Sequence, residues 1–129
     1  MSSLLKKPSS RLRKKAKRDF QGFPAATIAF YGPTADFASK VVVGIAKSAN
    51  SEIDPLKKWF SETDDLRTDE HIALQISAFL KEQNAKSVVM ADRIIGCPHE
   101  EGIDYPDGQS CPKCPFWAGR DRFTHERIQ

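Results

Sequence analysis

The sequence has no apolar run near the ~18–20 residues that a helix needs to cross a bilayer. Its N-terminus also lacks a secretory apolar region, because "RLRKKAKR" stands where one would be required. Cysteine is scarce: there are three in 129 residues. An odd, clustered set argues against a disulfide scaffold and for a reducing, cytoplasmic setting. Acid is missing from residues 1–18, which hold eight Lys/Arg. The remaining chain then carries 12 Lys/Arg against 17 Asp/Glu, so a basic arm precedes an acidic body. There is neither a glycine-rich phosphate loop nor a nucleophile elbow, so serine, histidine and acid are present without a recognisable catalytic arrangement.

What is present reads as one small α+β domain with additions at both ends. Residues 1–19 are expected to be a solvated, disordered arm, since like charges repel and little apolar surface offsets ordering entropy. Residues 20–96 form the expected folded domain, and residues 97–129 a metal-binding module with an Arg- and aromatic-rich tail. "ATIAFYG" alternates apolar residues before Gly-Pro, as a strand entering a turn does. "ASKVVVGIAKSA" carries three consecutive valines and a glycine, which disfavour a helix. It is expected to form a second strand in a hairpin with the first, with a helix over 37–49 as the competing reading. In "IDPLKKWF", Asp54 and Pro55 suit a helix start and Leu56, Trp59 and Phe60 share helical spacing. "TDEHIALQISAFLKEQ" is the clearest helix, with Asp69 and Glu70 at its positive end. "SVVMADRIIG" reads as a covered central strand, parallel to the first through a helical crossover. The expectation is a three-stranded mixed sheet with packed helices.

All three cysteines fall in "CPHEEGIDYPDGQSCPKC". Cys97 and His99 are two apart, so in extended chain both side chains point the same way. Pro98 suits that geometry. Cys111 and Cys114 form a C-x-x-C turn that brings two thiolates to one ion. Four N/S donors match tetrahedral zinc and make Mg²⁺ or Ca²⁺ implausible; iron and copper stay as lesser alternatives. His125 is the spare histidine that could replace His99. The Cys-Pro-x-Cys turn resembles the knuckle of zinc-ribbon and treble-clef modules over residues 97–117. That resemblance implies one structural Zn²⁺ and no full-length family.

The pattern His99-Glu100-Glu101 followed by C-x-x-C also resembles the signature of zinc-dependent nucleobase deaminases. On that alternative Glu101 would carry the proton and Cys97 would be spare. Three features oppose it. Ser110 replaces the proline before Cys111, eleven residues are too few for the intervening elements, and Cys97 completes a closed ligand set. A non-enzymatic binding module is therefore the favoured reading. The cations Lys6, Lys7, Arg11, Arg13, Lys14, Lys15, Lys17 and Arg18 are candidates for a nucleic-acid backbone. In "PFWAGRDRFTHER", Arg120 and Arg122 alternate with aromatics that could stack on unpaired bases. The expected partner is RNA, DNA or a ribonucleoprotein, with a protein partner as alternative and no membrane.

Overall fold

The computed structural model describes residues 10–16, 20–100, 102–106 and 111–117. Among these, α1 spans Ser10–Ala16, β1 Ala25–Tyr31, β2 Lys40–Ala46, β3 Ile53–Phe60, α2 Glu70–Glu82 and β4 Ser87–Gly96. One sheet runs in the order β3-β2-β1-β4. β1 and β2 form the expected antiparallel hairpin, and β4 joins β1 in parallel after the α2 crossover.

Alternation along β1 sends Ala26, Ile28 and Phe30 into the core, each at most 1% exposed. Val41, Val43 and Ile45 of β2 join them. From α2, Ala73, Ile76, Phe79 and Leu80 close over this face at helical spacing. The Asp69 side chain caps α2 by accepting from the Ile72 N–H at 3.1 Å. At the other end Asn84 turns to φ +56°, a left-handed conformation that asparagine tolerates better than most residues.

Three sequence expectations need correction. The sheet has four strands among the described residues, not three, because Ile53–Phe60 is a strand. Leu56, Trp59 and Phe60 fit one face of a helix, yet they also alternate. Trp59 faces the core opposite Val41, while Leu56 and Phe60 lie on the other face. The free edge of the buried β2 supplies ladder partners that a two-turn helix could not replace. Pro55 is tolerated because β3 is an edge strand. Secondly, β4 is the opposite edge rather than a central strand, and Val89 is exposed on the sheet face away from the core. Thirdly, the first nineteen residues are not all solvated arm: Ser10–Ala16 is helical and lies against β4 and α2. Leu12 drives this, being 1% exposed in the main core. One fully buried leucine contributes ~2 kcal/mol, enough to dock a short helix that would not persist alone.

A buried ion pair ties the loops at one end of the sheet. Arg67 donates to both Asp65 oxygens, at 3.1 and 2.7 Å, and to the Asp36 carbonyl at 3.0 Å. Burial alone would raise the Asp65 carboxyl pKa, but the Arg67 hydrogen bonds and charge outweigh it and hold it below the ordinary value.

Candidate metal centre

The parallel pair β1/β4 delivers Cys97. Gly96 lies opposite Tyr31, and the Gly32 N–H donates to the Gly96 carbonyl at 2.8 Å, so the chain leaves the sheet at a fixed point. A Cβ on Gly32 would overlap the Phe37 carbonyl oxygen, which explains glycine at this exit. Immediately beyond, the His99 N–H donates to Cys97 Sγ at 3.3 Å, a contact that favours the thiolate.

The segment then folds back on itself. Ile103 and Asp104 N–H groups donate to the Glu100 carbonyl, and Gly102, at φ +82°, donates to Tyr105. Asp104 returns a carboxylate oxygen to the Glu100 N–H at 2.7 Å. Cys111 and Cys114 close a turn by a backbone bond of 3.3 Å, continued by the 3₁₀ turn Pro115–Trp117.

These turns bring Cys97, His99, Cys111 and Cys114 together, with their donor atoms all within 4.8 Å of one another. The three sulfurs surround one imidazole nitrogen: His99 Nδ1 lies 3.2 Å from Cys97, 3.4 Å from Cys111 and 3.5 Å from Cys114. All three cysteines are unpaired by disulfide and buried. Burial raises the Cys97 and Cys114 thiol pKa values, and the neighbouring sulfurs raise that of Cys114 further. A cation at the centre of the four donors would reverse that balance, since it favours each thiolate. The group could hold a metal ion.

Two features anchor this knuckle to the sheet. Trp117 packs against both the cysteine cluster and the main core, and its indole N–H donates to the Gly32 carbonyl at 2.7 Å. Lys40, only 5% exposed, donates from Nζ to the Pro98 carbonyl at 3.0 Å. Its ammonium sits 5.6 Å from the Tyr31 ring centroid and 5.7 Å from that of Phe60. Burial lowers the Lys40 pKa, with Glu100 opposing the shift. Glu100 itself pairs with Lys58 of β3 at 3.3 Å, which gives that acid a place in the fold. A cleft of about 600 Å³ opens between the knuckle and the sheet edge, with Lys40, Phe60, His99 and Cys114 in its walls.

Lys40 was not among the residues expected from sequence. Its one signal is a charge opening the strand "KVVVGIA", on the face opposite the core valines. Of the expected cations, Arg13, Lys14 and Lys15 lie on α1, which also includes Arg11. Lys6, Lys7, Lys17, Arg18, Arg120, Arg122, Glu101 and His125 lie outside the described residues. In comparisons with known proteins, no family model, no curated protein and no solved structure matches this chain.

Proposed function

We propose that this chain is a small zinc protein whose ion is structural, and that it works as a non-enzymatic binding module for RNA, DNA or a nucleoprotein complex. The observation that carries the zinc reading is the ring of three cysteine sulfurs around His99 Nδ1. Zinc bonds of about 2.3 Å to sulfur and 2.0–2.1 Å to nitrogen set tetrahedral donor separations of about 3.6–3.8 Å. The donor set is soft, and the nitrogen–sulfur separations of 3.2–3.5 Å lie close to the lower figure. Cys97, His99, Cys111 and Cys114 would hold the ion, which would supply a crosslink between the end of β4 and the C-terminal turns.

Three thiolates and a neutral imidazole leave such a centre with one net negative charge. The buried Lys40 ammonium beside Pro98 is placed to offset it. Four protein donors also support a closed site rather than one with a position open for water, which disfavours the deaminase-like alternative through Glu101. The nucleic-acid reading rests on the acid-free, cation-rich first eighteen residues, part of which is held against the fold by Leu12.

Metal analysis of the full chain purified without added metal should return about one equivalent of zinc. No bound metal, or a different one, would overturn the zinc reading. For the partner, binding to a single-stranded RNA should weaken steeply with salt and weaken further when residues 1–9 are removed. One observation favours a protein partner instead. Leu56, Phe60 and Val89 are 54%, 66% and 59% exposed on the sheet face opposite the main core. Pull-down partners that survive nuclease treatment would support that second reading.

A further inference from the structure

A second site lies away from the metal cluster, where α1, the end of α2 and the start of β4 meet. A pocket of about 610 Å³ there takes Lys15 from α1, Lys81 from the last turn of α2 and Lys86 from the residue before β4. No Asp or Glu lines it among the described residues. None of the three lysines has an ion-pair partner among those residues either. Asn84, in its left-handed turn, adds an amide to the rim.

The plain explanation covers only part of this. A lysine in the last turn of a helix complements the negative end of the helix dipole, which accounts for Lys81. It does not account for Lys15, brought in from another helix by the burial of Leu12, or for Lys86 beyond the helix end. The three lysines line one concave surface without an acid among the described residues, and a cleft lined by one sign of charge attracts counter-ions.

We propose that this pocket binds phosphoryl groups, with Lys15, Lys81 and Lys86 neutralising them and the Asn84 amide donating a hydrogen bond. Linked phosphates fit it best: three lysine charges exceed that of a single phosphate monoanion, and the volume holds more than one such group. The proposal is partly tied to the nucleic-acid reading, because a polynucleotide backbone is one source of linked phosphates. A free polyphosphate or nucleotide is the other, and the two are separable.

The test uses the full, metal-loaded chain, with sodium tripolyphosphate and a single-stranded 12-nucleotide RNA as probes. Backbone amide resonances of Ala78, Asn84 and Lys86 are followed by NMR. Both probes are expected to shift them. Lys86→Gln should weaken tripolyphosphate binding by about tenfold or more, the scale of one charge-assisted hydrogen bond. Lys47→Gln, an exposed lysine elsewhere, should change it less than about twofold. If RNA is the source and two of its phosphates are seated, the triple Gln variant at 15, 81 and 86 should flatten the log–log salt dependence by about 1.4. Shifts with tripolyphosphate but not with RNA would keep the pocket and reject the polynucleotide. RNA binding with an unchanged salt slope and no shift at these amides would reject the pocket and leave the nucleic-acid reading standing. Silence from both probes, or equal effects of Lys47→Gln and Lys86→Gln, would overturn the proposal.

Discussion

If the proposed zinc is structural, removing it, by a chelator or by Cys114→Ser, should release the knuckle and leave the sheet intact. The magnitude follows from what holds the segment. Sixteen described residues run from Cys97 to Trp117, both included. Ordering them costs on the order of 20 kcal/mol in backbone entropy. Against this stand a few contacts to the rest of the fold. The Trp117 indole hydrogen bond contributes about 1 kcal/mol and the Lys40 bond to Pro98 about 2 kcal/mol. The half-exposed Lys58–Glu100 pair adds at most about half a kcal/mol after solvent screening. A structural zinc supplies an apparent 10–16 kcal/mol at neutral pH, close to the deficit once the turns' own hydrogen bonds are counted. The two tryptophans make the assay direct. Trp59 sits in the main core with its indole N–H on Gln75 Oε1 at 2.9 Å, whereas Trp117 reports the knuckle. In a Trp59→Phe background, chelation should shift Trp117 emission to the red and raise its quenching by iodide. In a Trp117→Phe background, Trp59 emission and the far-ultraviolet circular dichroism should hardly change. An unchanged Trp117 signal after verified loss of metal would refute the reasoning. So would simultaneous loss of the Trp59 signal, since the core would then depend on the ion.

The remaining predictions concern the frame around the site. Arg67→Ala should destabilise the fold by about 3–5 kcal/mol in urea titration, because it strands the Asp65 carboxylate at 5% side-chain exposure. Asp65 has its folded-state pKa below 3.8, so its contribution is present above that pH and is lost as acidity carries the pH down through the folded value. Arg67→Ala should therefore flatten the acid limb of a stability–pH curve, and an unchanged limb would contradict it. Leu12→Ala should cost about 2–4 kcal/mol and raise amide exchange in α1 and along β4, whereas a freely solvated arm would show no change. Gly32→Ala should cost about 1–3 kcal/mol or more, through the clash with the Phe37 carbonyl, and should loosen Trp117 as well.

The readable parts of the sequence were those where local pattern and tertiary demand agree. α2 carries an apolar stripe and acid at its start, and the structure forms it at Glu70–Glu82. β1 and β2 were legible through alternation and the valine run. The four-donor cluster was legible because Cys97/His99 and Cys111/Cys114 each sit at spacings that converge locally, and the structure brings the two halves together. β3 was not legible. Its i, i+3, i+4 pattern is compatible with either period, and the free edge of β2, invisible in a local window, decides it. Leu12 misled for a related reason. A single apolar residue in a basic stretch cannot announce the groove that accepts it. Lys40 and the Lys15/Lys81/Lys86 group are assembled across long sequence separations, so no local spacing could have revealed them.

The position of the candidate metal centre follows from the topology. β1 and β4 are parallel, so both finish at the same end of the sheet, and β1 leaves through Gly32 beside the point where β4 leaves through Gly96. That end offers the Gly32 carbonyl to Trp117 and the buried Lys40 ammonium to Pro98. The knuckle therefore docks where the sheet provides one acceptor and one cation to a segment that has a donor and, when metallated, a negative charge. Lys40→Met tests that last step apart from folding. It removes the ammonium but keeps the chain length that fills the space between Tyr31 and Phe60, so the sheet should persist. Zinc affinity, measured by competition with a chromophoric chelator, should fall by about tenfold or more, the scale of one charge–dipole hydrogen bond and one desolvated cation near a thiolate cluster. Equal affinity in Lys40→Met and parent protein would mean that the centre's charge is balanced by solvent, and Lys40 would then be only a packing residue.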